Sequence, residues 1–481
     1  MNNAHSFEAV IGLEVHVRLG IKTKLFCADE NSYGKEPNTL ISEVSLGYPG
    51  SLPVLNREAI LFAVKMGLAC HSEIASKVEF DRKNYFYPDL PKGYQITQDR
   101  NPICKGGFVD VRVRGNNEFF KIELTKIHLE EDAGKSIHRD NGKSAIDFNR
   151  AGTALIEIVT EPVIKTSDQA RDFLFEIRRM VRYLGISDGN MEEGSLRCDA
   201  NISIRRAGSL ILGKKVEIKN MNSMSNVKKA IDHEIERQIE VKSSDNTIVQ
   251  ETRSFDPSTG MTTPMREKET LTDYRYFPEP DLVPEIIDNN WLISIKENLP
   301  EMGWQKEQRF IESYGLRENE AKLLAREKNI AEYYDTVVEL SGLPKAASNW
   351  IMGPIMKHLN ASGLEIDSFP ISPDKIASII SYVDEGLLNF GYASKNILPQ
   401  MIKNPERELT DFIKEKGSEQ NLEIKRIIEE VLSVSKSEVK LYKNGKKKLF
   451  GALMGSVMRK AGREADPKII KELLQNTLDN Y

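Results

Sequence analysis

The chain predicts an α+β fold, a sheet-rich first part followed by helices, and three observations point there. Residues 11–19, Ile-Gly-Leu-Glu-Val-His-Val-Arg-Leu, alternate apolar and polar side chains with a period of two, the mark of a half-buried strand. From about residue 7 to residue 285, further strand-like runs are separated by Gly, Pro and Asn punctuation. Beyond Pro278, Pro280 and Pro284 the texture changes, and from about residue 300 apolar residues recur at spacings of three and four with few strand signals.

The first strand turns Ile11, Leu13, Val15, Val17 and Leu19 to one face and Glu14, His16 and Arg18 to the other. A carboxylate, an imidazole and a guanidinium in a row fit either an ordinary charged strand face or a site for metal or phosphate. Runs at 109–113, 119–124, 154–159 and 202–205 read as further strands. Stretches 57–70 and 167–184 read as helices packed on the sheet, and 225–242 as a more charged helix on the surface. The expected organisation is an α+β domain over 1–292, a helical domain over 293–402 and a small helical tail over 403–481. The charged stretch 399–405, bounded by prolines, is the expected hinge before the tail.

With 481 residues, 40% hydrophobic and 29% charged, the chain can bury several cores and reads as a soluble multidomain protein. Its net charge of −5 gives no overall attraction to nucleic acid, so any RNA contact must come from local basic patches. Cys27, Cys70, Cys104 and Cys198 are scattered without a C-x-x-C pair, which speaks against a thiolate zinc site and a disulfide framework. No apolar run of about 18 residues occurs and the N-terminus lacks a signal-peptide core, so a cytoplasmic location without membrane contact is expected. There is no G-x-x-x-x-G-K-[ST] loop and no G-x-S-x-G elbow, so neither P-loop nucleotide binding nor that hydrolase pattern applies.

Glu157 interrupts Ala154-Leu155-Ile156-Glu157-Ile158-Val159, a strand apolar on both faces, where an unpaired carboxylate would be costly. It needs a partner, either a structural Arg or Lys or a divalent cation. His128-Leu129-Glu130-Glu131-Asp132-Ala133-Gly134-Lys135 closes a strand with three successive carboxylates, which are either solvated or suited to Mg²⁺. The polar strand face recurs at Arg197, Asp199 and Asn201, and again at Glu217 and Lys219. Such repetition argues for a polar cleft that either steers a phosphate with its metal or conducts a small polar molecule. Segments 81–88 and 273–278 interleave basic and aromatic residues, as base-stacking surfaces or rigid loops do. In the tail, Lys440, Lys443, Lys446, Lys447, Lys448, Arg459, Lys460 and Arg463, followed by the acidic Glu464, form a basic stretch that favours RNA contact over a solvated face.

On these motifs the chain resembles the B subunit of the bacterial-type aspartyl/glutamyl-tRNA amidotransferases. The resemblance is carried by Ile-Gly-Leu-Glu-Val-His-Val (11–17), Phe-Asp-Arg-Lys-Asn-Tyr-Phe-Tyr-Pro-Asp (80–89), His-Leu-Glu-Glu-Asp-Ala-Gly-Lys (128–135) and Asn-Arg-Ala-Gly-Thr-Ala-Leu-Ile-Glu-Ile-Val-Thr-Glu-Pro (149–162). It continues in Glu-Glu-Gly-Ser-Leu-Arg-Cys-Asp-Ala-Asn-Ile-Ser (192–203) and Asp-Tyr-Arg-Tyr-Phe-Pro-Glu-Pro-Asp (273–281), and more thinly to Tyr-Lys-Asn-Gly-Lys (442–446).

The resemblance implies a cradle-shaped first domain, a helical domain and a tail that grips tRNA. It implies a heterotrimer in which the other two members are a glutaminase, the A subunit, together with a small third chain, the C subunit. In such enzymes the B subunit uses ATP and Mg²⁺ to phosphorylate the side-chain carboxylate of Glu or Asp misacylated onto tRNA. Ammonia then displaces the phosphate to give Gln-tRNA or Asn-tRNA. Carried over position by position, the resemblance implies metal ligands His16, Glu131 and Glu157 and catalytic carboxylates Glu14, Glu131 and Glu157. It also implies an ammonia passage along Glu14, Lys83, Tyr85, Arg197 and Asp199. The tail contacts with tRNA fall on Lys443, Lys446, Lys447, Lys448, Arg459 and Lys460; the ATP pocket stays unassigned. Many relatives carry two zinc-holding cysteine pairs near 26–50, but this chain has only Cys27, with Ser42, Glu43, Val44 and Ser45 where the second pair would fall. No zinc is therefore expected. Nothing in the chain supplies glutamine hydrolysis, and the alternative from another class is a non-catalytic tRNA-binding scaffold.

Overall fold

The computed structural model describes residues 7–112, 119–138, 143–267, 274–444, 446–461 and 467–480. Asp273, Arg463 and Glu464 lie outside the described residues. The chain forms two units, Met1–Phe310 with Ala325–Lys328, and Ile311–Leu324 with Asn329–Tyr481.

The first unit is built on β1 (Phe7–Arg18), β2 (Asp81–Asn84), β3 (Tyr94–Thr97), β4 (Phe119–Glu131), β5 (Ala154–Thr160), β6 (Leu196–Arg206), β7 (Val216–Lys219), β8 (Glu251–Asp256) and β9 (Met261–Glu267). Among the described residues, ten strands join in one sheet in the order β9-β8-β7-β6-β1-β5-β4, followed by the short strands Cys104–Lys105 and Glu73–Ile74, with Phe108–Arg112 also pairing with β4. The β7–β8 pair is parallel and the other pairs of this sheet are antiparallel. β1 holds the centre because its apolar face is continuous: Leu13, Val15 and Val17 are all buried. β2 and β3 pair with each other in a separate small sheet beside it.

Helix α1 (Arg57–Ala69) starts on Asn56, α2 (Ser167–Tyr183) on Thr166 and α3 (Met224–Ser243) on Ser223; each cap side chain accepts a first-turn backbone N–H. α2 buries Phe173, Leu174 and Ile177. The charged helix expected at the surface, α3, instead buries a full stripe. Val227, Ala230 and Ile231 lie inward together with Glu234 and Gln238, both fully buried. Charge did not mean exposure here because the charges meet each other. Arg237 donates to Glu234 at 2.6 Å, Arg253 of β8 lies 3.6 Å from it, and Gln238 donates to the Ile202 carbonyl of β6 at 3.1 Å. The first unit runs past residue 292: Phe310 is fully buried and Glu307 accepts from Arg112 at 2.8 Å.

In the second unit, buried Trp350 meets the ring of Phe390 edge-on with centroids 5.0 Å apart. The helix Leu398–Lys403 ends at Asn404, and the Pro405 carbonyl accepts from Lys375 at 2.6 Å. Helices Leu409–Val434, Lys436–Lys443, Leu449–Ala461 and Pro467–Asn480 share a core of Ile428, Leu432, Tyr442, Val457, Ile470 and Leu474. Among the described residues no helix is long and apolar enough to cross a membrane.

Candidate functional site

Antiparallel register brings the separate polar faces onto one side of the sheet. Glu14 lies opposite Asp199, His16 is flanked by Arg197 on β6 and Glu157 on β5, Glu157 faces His128 on β4, and Asn201 faces Glu217 on β7. Alternation sends the intervening Val15, Ile156, Ile158, Cys198 and Ala200 to the buried side. The polar side floors a cleft of about 1680 Å³.

At the floor, His16 Nε2 lies 3.3 Å from Glu130 Oε1 and 3.8 Å from Glu157 Oε1. One donor atom from each of His16, Glu130 and Glu157 falls within 4.8 Å of the others. His128 stands behind the carboxylates, its Nε2 3.0 Å from Glu157 Oε2 and 3.7 Å from Glu130 Oε2. Burial works to lower the His16 imidazole, but the hydrogen bond to Glu130 and the charges of Glu157 and Glu130 push it up to about 9. Burial would raise Glu130, yet its hydrogen bonds with His128 and His16 and their charges hold it well below the usual carboxylate range.

Glu131, which the resemblance places in the metal set, does not join it. His128 and Glu130 are two apart on β4 and share the cleft face; Glu131 shares the opposite face with Leu129. There its Oε1 accepts from the Ile96 backbone N–H at 2.9 Å and from the Lys92 ammonium. Lys92, Glu131, Tyr94, Cys27 and Tyr48 line a small cavity of about 90 Å³. The signal that Glu130, and not Glu131, shares the face of His128 was present in the sequence, since Leu129 is the apolar residue between His128 and Glu130.

The five residues assigned to a passage, Glu14, Lys83, Tyr85, Arg197 and Asp199, all line the large cleft. Two residues outside that assignment, Glu217 and Lys219, complete the group. Glu14, Asp199 and Glu217 each bring a carboxylate oxygen within 4.8 Å of the others, and Lys219 pairs with Asp199 and, at 3.0 Å, with Glu217. Asn201 donates to Glu14 at 2.9 Å. Burial, with the charges of Glu157, Asp199 and Glu217, raises the Glu14 carboxyl. Lys83 sits 4.8 Å from the ring centre of Tyr274 and 6.0 Å from that of Tyr85. Arg197 reaches Asp132 at 2.5 Å.

Near Cys27 the chain holds a buried ammonium. Lys24 is fully buried, donates to the Leu40 carbonyl at 2.7 Å and lies 3.8 Å from Asp29. Burial raises the Asp29 carboxyl, but the Ser45, Ser42 and Cys27 side chains and the Lys24 ammonium outweigh it. Burial pushes the Cys27 thiol up to about 11, so it is protonated at neutral pH. Lys24→Ala is expected to lower unfolding stability by about 3 kcal/mol, because Asp29 then stays largely buried without its cation. Chemical denaturation measures this, and a loss under about 0.5 kcal/mol would show the pair to be incidental.

The tail residues Lys443, Lys446, Lys447, Lys448, Arg459 and Lys460 are all exposed. Lys447 lies 4.3 Å from the ring centre of Tyr442, Arg459 donates to the Gly455 carbonyl at 3.3 Å, and Lys460 pairs with Glu430.

Residues 9–293 match the family model described as the GatB/GatE catalytic domain, and residues 332–478 match the GatB domain. The chain is 45% identical over 479 residues to a Geotalea daltonii protein named as the B subunit of aspartyl/glutamyl-tRNA(Asn/Gln) amidotransferase, covering 98% of this chain and 99% of that one. Proteins of the same name from Thermodesulfovibrio yellowstonii and Thermoanaerobacter pseudethanolicus are each 44% identical, covering 97% and 98% of this chain and 98% and 99% of theirs. With its sheet cleft inside the matched catalytic domain, the chain belongs to the family of aspartyl/glutamyl-tRNA(Asn/Gln) amidotransferase B subunits.

Proposed function

We propose that the cleft converts the side-chain carboxylate of Glu or Asp on tRNA into an acyl phosphate at the expense of ATP, and that ammonia then converts it to the amide. One carboxylate oxygen attacks the γ-phosphorus as the bond to ADP breaks. Ammonia adds to the acyl carbon, the carbon–oxygen bond to phosphate breaks, and a proton leaves the nitrogen. A carboxylate is a poor acyl donor, so phosphate must first be installed as leaving group.

The observation that supports this reading is the gathering of His16, Glu130 and Glu157 on the cleft floor. Two carboxylates and an imidazole fit a divalent cation, and the carboxylates suit Mg²⁺. When bound, the ion supplies neutralisation of phosphate charge during transfer. Glu14, Lys83, Tyr85, Arg197 and Asp199, joined by Glu217 and Lys219, line the polar route by which ammonia from the glutaminase partner reaches the acyl carbon. Their charged and hydroxyl groups hold the small polar nitrogen against escape to bulk water. We place the complex in the cytoplasm, as a heterotrimer with the glutaminase A subunit, plus the small C subunit. The divisions 1–292, 293–402 and 403–481 serve as cradle, connecting helices and tRNA-holding tail. Near Cys27 the buried Lys24 ammonium already supplies positive charge, and one protonated thiol makes a poor zinc set, so the chain works without zinc.

The test uses the reconstituted complex with Glu-tRNA labelled by ¹⁸O in its side-chain carboxylate, plus ATP, Mg²⁺ and either glutamine or ammonia. Each Gln-tRNA formed should release one labelled oxygen in inorganic phosphate. Amide formation with unlabelled phosphate would refute the acyl phosphate. For the tail, replacing Lys446, Lys447 and Lys448 together by Ala should weaken tRNA binding and reduce the slope of log affinity against log salt by about one for each phosphate no longer neutralised. An unchanged slope in binding titrations would remove these lysines from the interface.

A further inference from the structure

We infer that His128 is a positioning residue that aims the Glu157 and Glu130 carboxylates at the cation they share with His16. The inference rests on the reading of His16, Glu130 and Glu157 as a divalent-cation site.

The geometry divides the carboxylate oxygens by neighbour. Glu157 turns Oε1 to His16, at 3.8 Å, and Oε2 to His128, at 3.0 Å. Glu130 does the same, with Oε1 3.3 Å from His16 and Oε2 3.7 Å from His128. The two imidazoles therefore grip the carboxylate pair from opposite sides. Only His16 lines the cleft; the side chain of His128 is 6% exposed and lies behind the carboxylates. The strands fix this arrangement, since His128 is the direct cross-strand partner of Glu157 in the β4–β5 pair and Glu130 is two residues further along β4.

The ring's other nitrogen supports the assignment. His128 Nδ1 is buried and has no hydrogen-bond partner among the described residues. A buried histidine kept only for packing would be expected to satisfy both nitrogens. Here the polar capacity of the ring is directed through Nε2 alone, onto the far oxygen of Glu157. A carboxylate held at its far oxygen presents the near one alone. Mg²⁺ demands strict octahedral geometry and gains from such a fixed, one-oxygen ligand, whereas larger ions accept carboxylates that swing into two-oxygen contact.

Two amide replacements separate orientation from packing. In His128→Gln the side-chain nitrogen can take the place of Nε2 and still donate to Glu157; in His128→Asn, one carbon shorter, it cannot. The full chain in its complex is titrated with Mn²⁺ and free ion is followed by electron paramagnetic resonance, with His16→Ala identifying which bound ion belongs to this cluster. The Asn variant should bind that ion about 10- to 100-fold more weakly and lose preference for Mg²⁺ over Ca²⁺ in competition, while the Gln variant stays within about threefold of the unaltered chain. Equal affinities in the two variants, whether both unaltered or both weakened, overturn the inference. If the unaltered complex binds no Mn²⁺ that His16→Ala removes, the cation reading itself fails. Soluble complex that retains tRNA binding confirms folding of each variant, independently of metal.

Discussion

Glu130→Gln is expected to lower ATP-dependent Gln-tRNA formation by about three orders of magnitude with tRNA binding retained, because in the proposed function the carboxylate serves as one of the cation's anionic ligands and its removal leaves the transferring phosphoryl group poorly neutralised. The neighbouring substitution Glu131→Gln should behave in the opposite way. Glu131 faces away from the cleft and holds Lys92 and the Ile96 backbone N–H, so its loss strands a largely buried ammonium and costs about 3 kcal/mol of stability. Each folded molecule should nonetheless turn over at close to the normal rate. Initial rates with ammonia as nitrogen source, paired with thermal melts, separate the two effects. A Glu131→Gln variant that is stable and inactive, beside an active Glu130→Gln, would reverse the assignment. Full activity in both would favour a scaffold.

Cation affinity is expected to rise about tenfold per pH unit between pH 7 and 9 and to level off above that. With His16 pushed up to about 9 in the chain without its cation, ligation at neutral pH must expel the imidazole proton. Calorimetry in two buffers of different ionisation enthalpy would detect about one proton released per ion at pH 7 and few at pH 9.5. The same shift has a stability consequence of fixed sign. A histidine raised above its ordinary 6.5 stabilises the chelated fold fully below pH 6.5, and that contribution fades as pH rises through about 9. Chelated protein should therefore lose melting temperature toward alkaline pH, and cation should restore more of it at pH 9 than at pH 7. A pH-independent affinity would mean that His16 is already neutral.

Much of this site was legible as faces rather than as contacts. Period-two alternation in 11–19 identified β1 and put Glu14 and His16 on its polar side, and the same pattern flagged 197–201 and 217–219. Which faces would meet was not legible, because register between β1, β5 and β6 is set by pairing over more than a hundred residues of separation. The choice between Glu130 and Glu131 required only local alternation, with Leu129 as the guide. His128 could be placed beside Glu130 in the same way, but its role as a partner of Glu157 needed the β4–β5 pairing. The burial of Glu234 and Gln238 on α3 escaped sequence reading because their partners, Arg253 and the Ile202 carbonyl, come from distant strands. The tail was read well as helical, its apolar spacing being local, and its core at Ile428, Leu432 and Leu474 follows from that spacing.

The back-to-back placement of Glu130 and Glu131 makes this part of the gene sensitive to length more than to composition. Even and odd positions of β4 address two different compartments, one the large cleft lined by Glu130 and one the small cavity that holds Lys92. Excision of Leu129 alone would keep every carboxylate and both histidines, yet would deliver each of the following side chains to the wrong compartment. Natural variants of this protein should therefore tolerate exchange of residues along β4 far more readily than the gain or loss of a single codon.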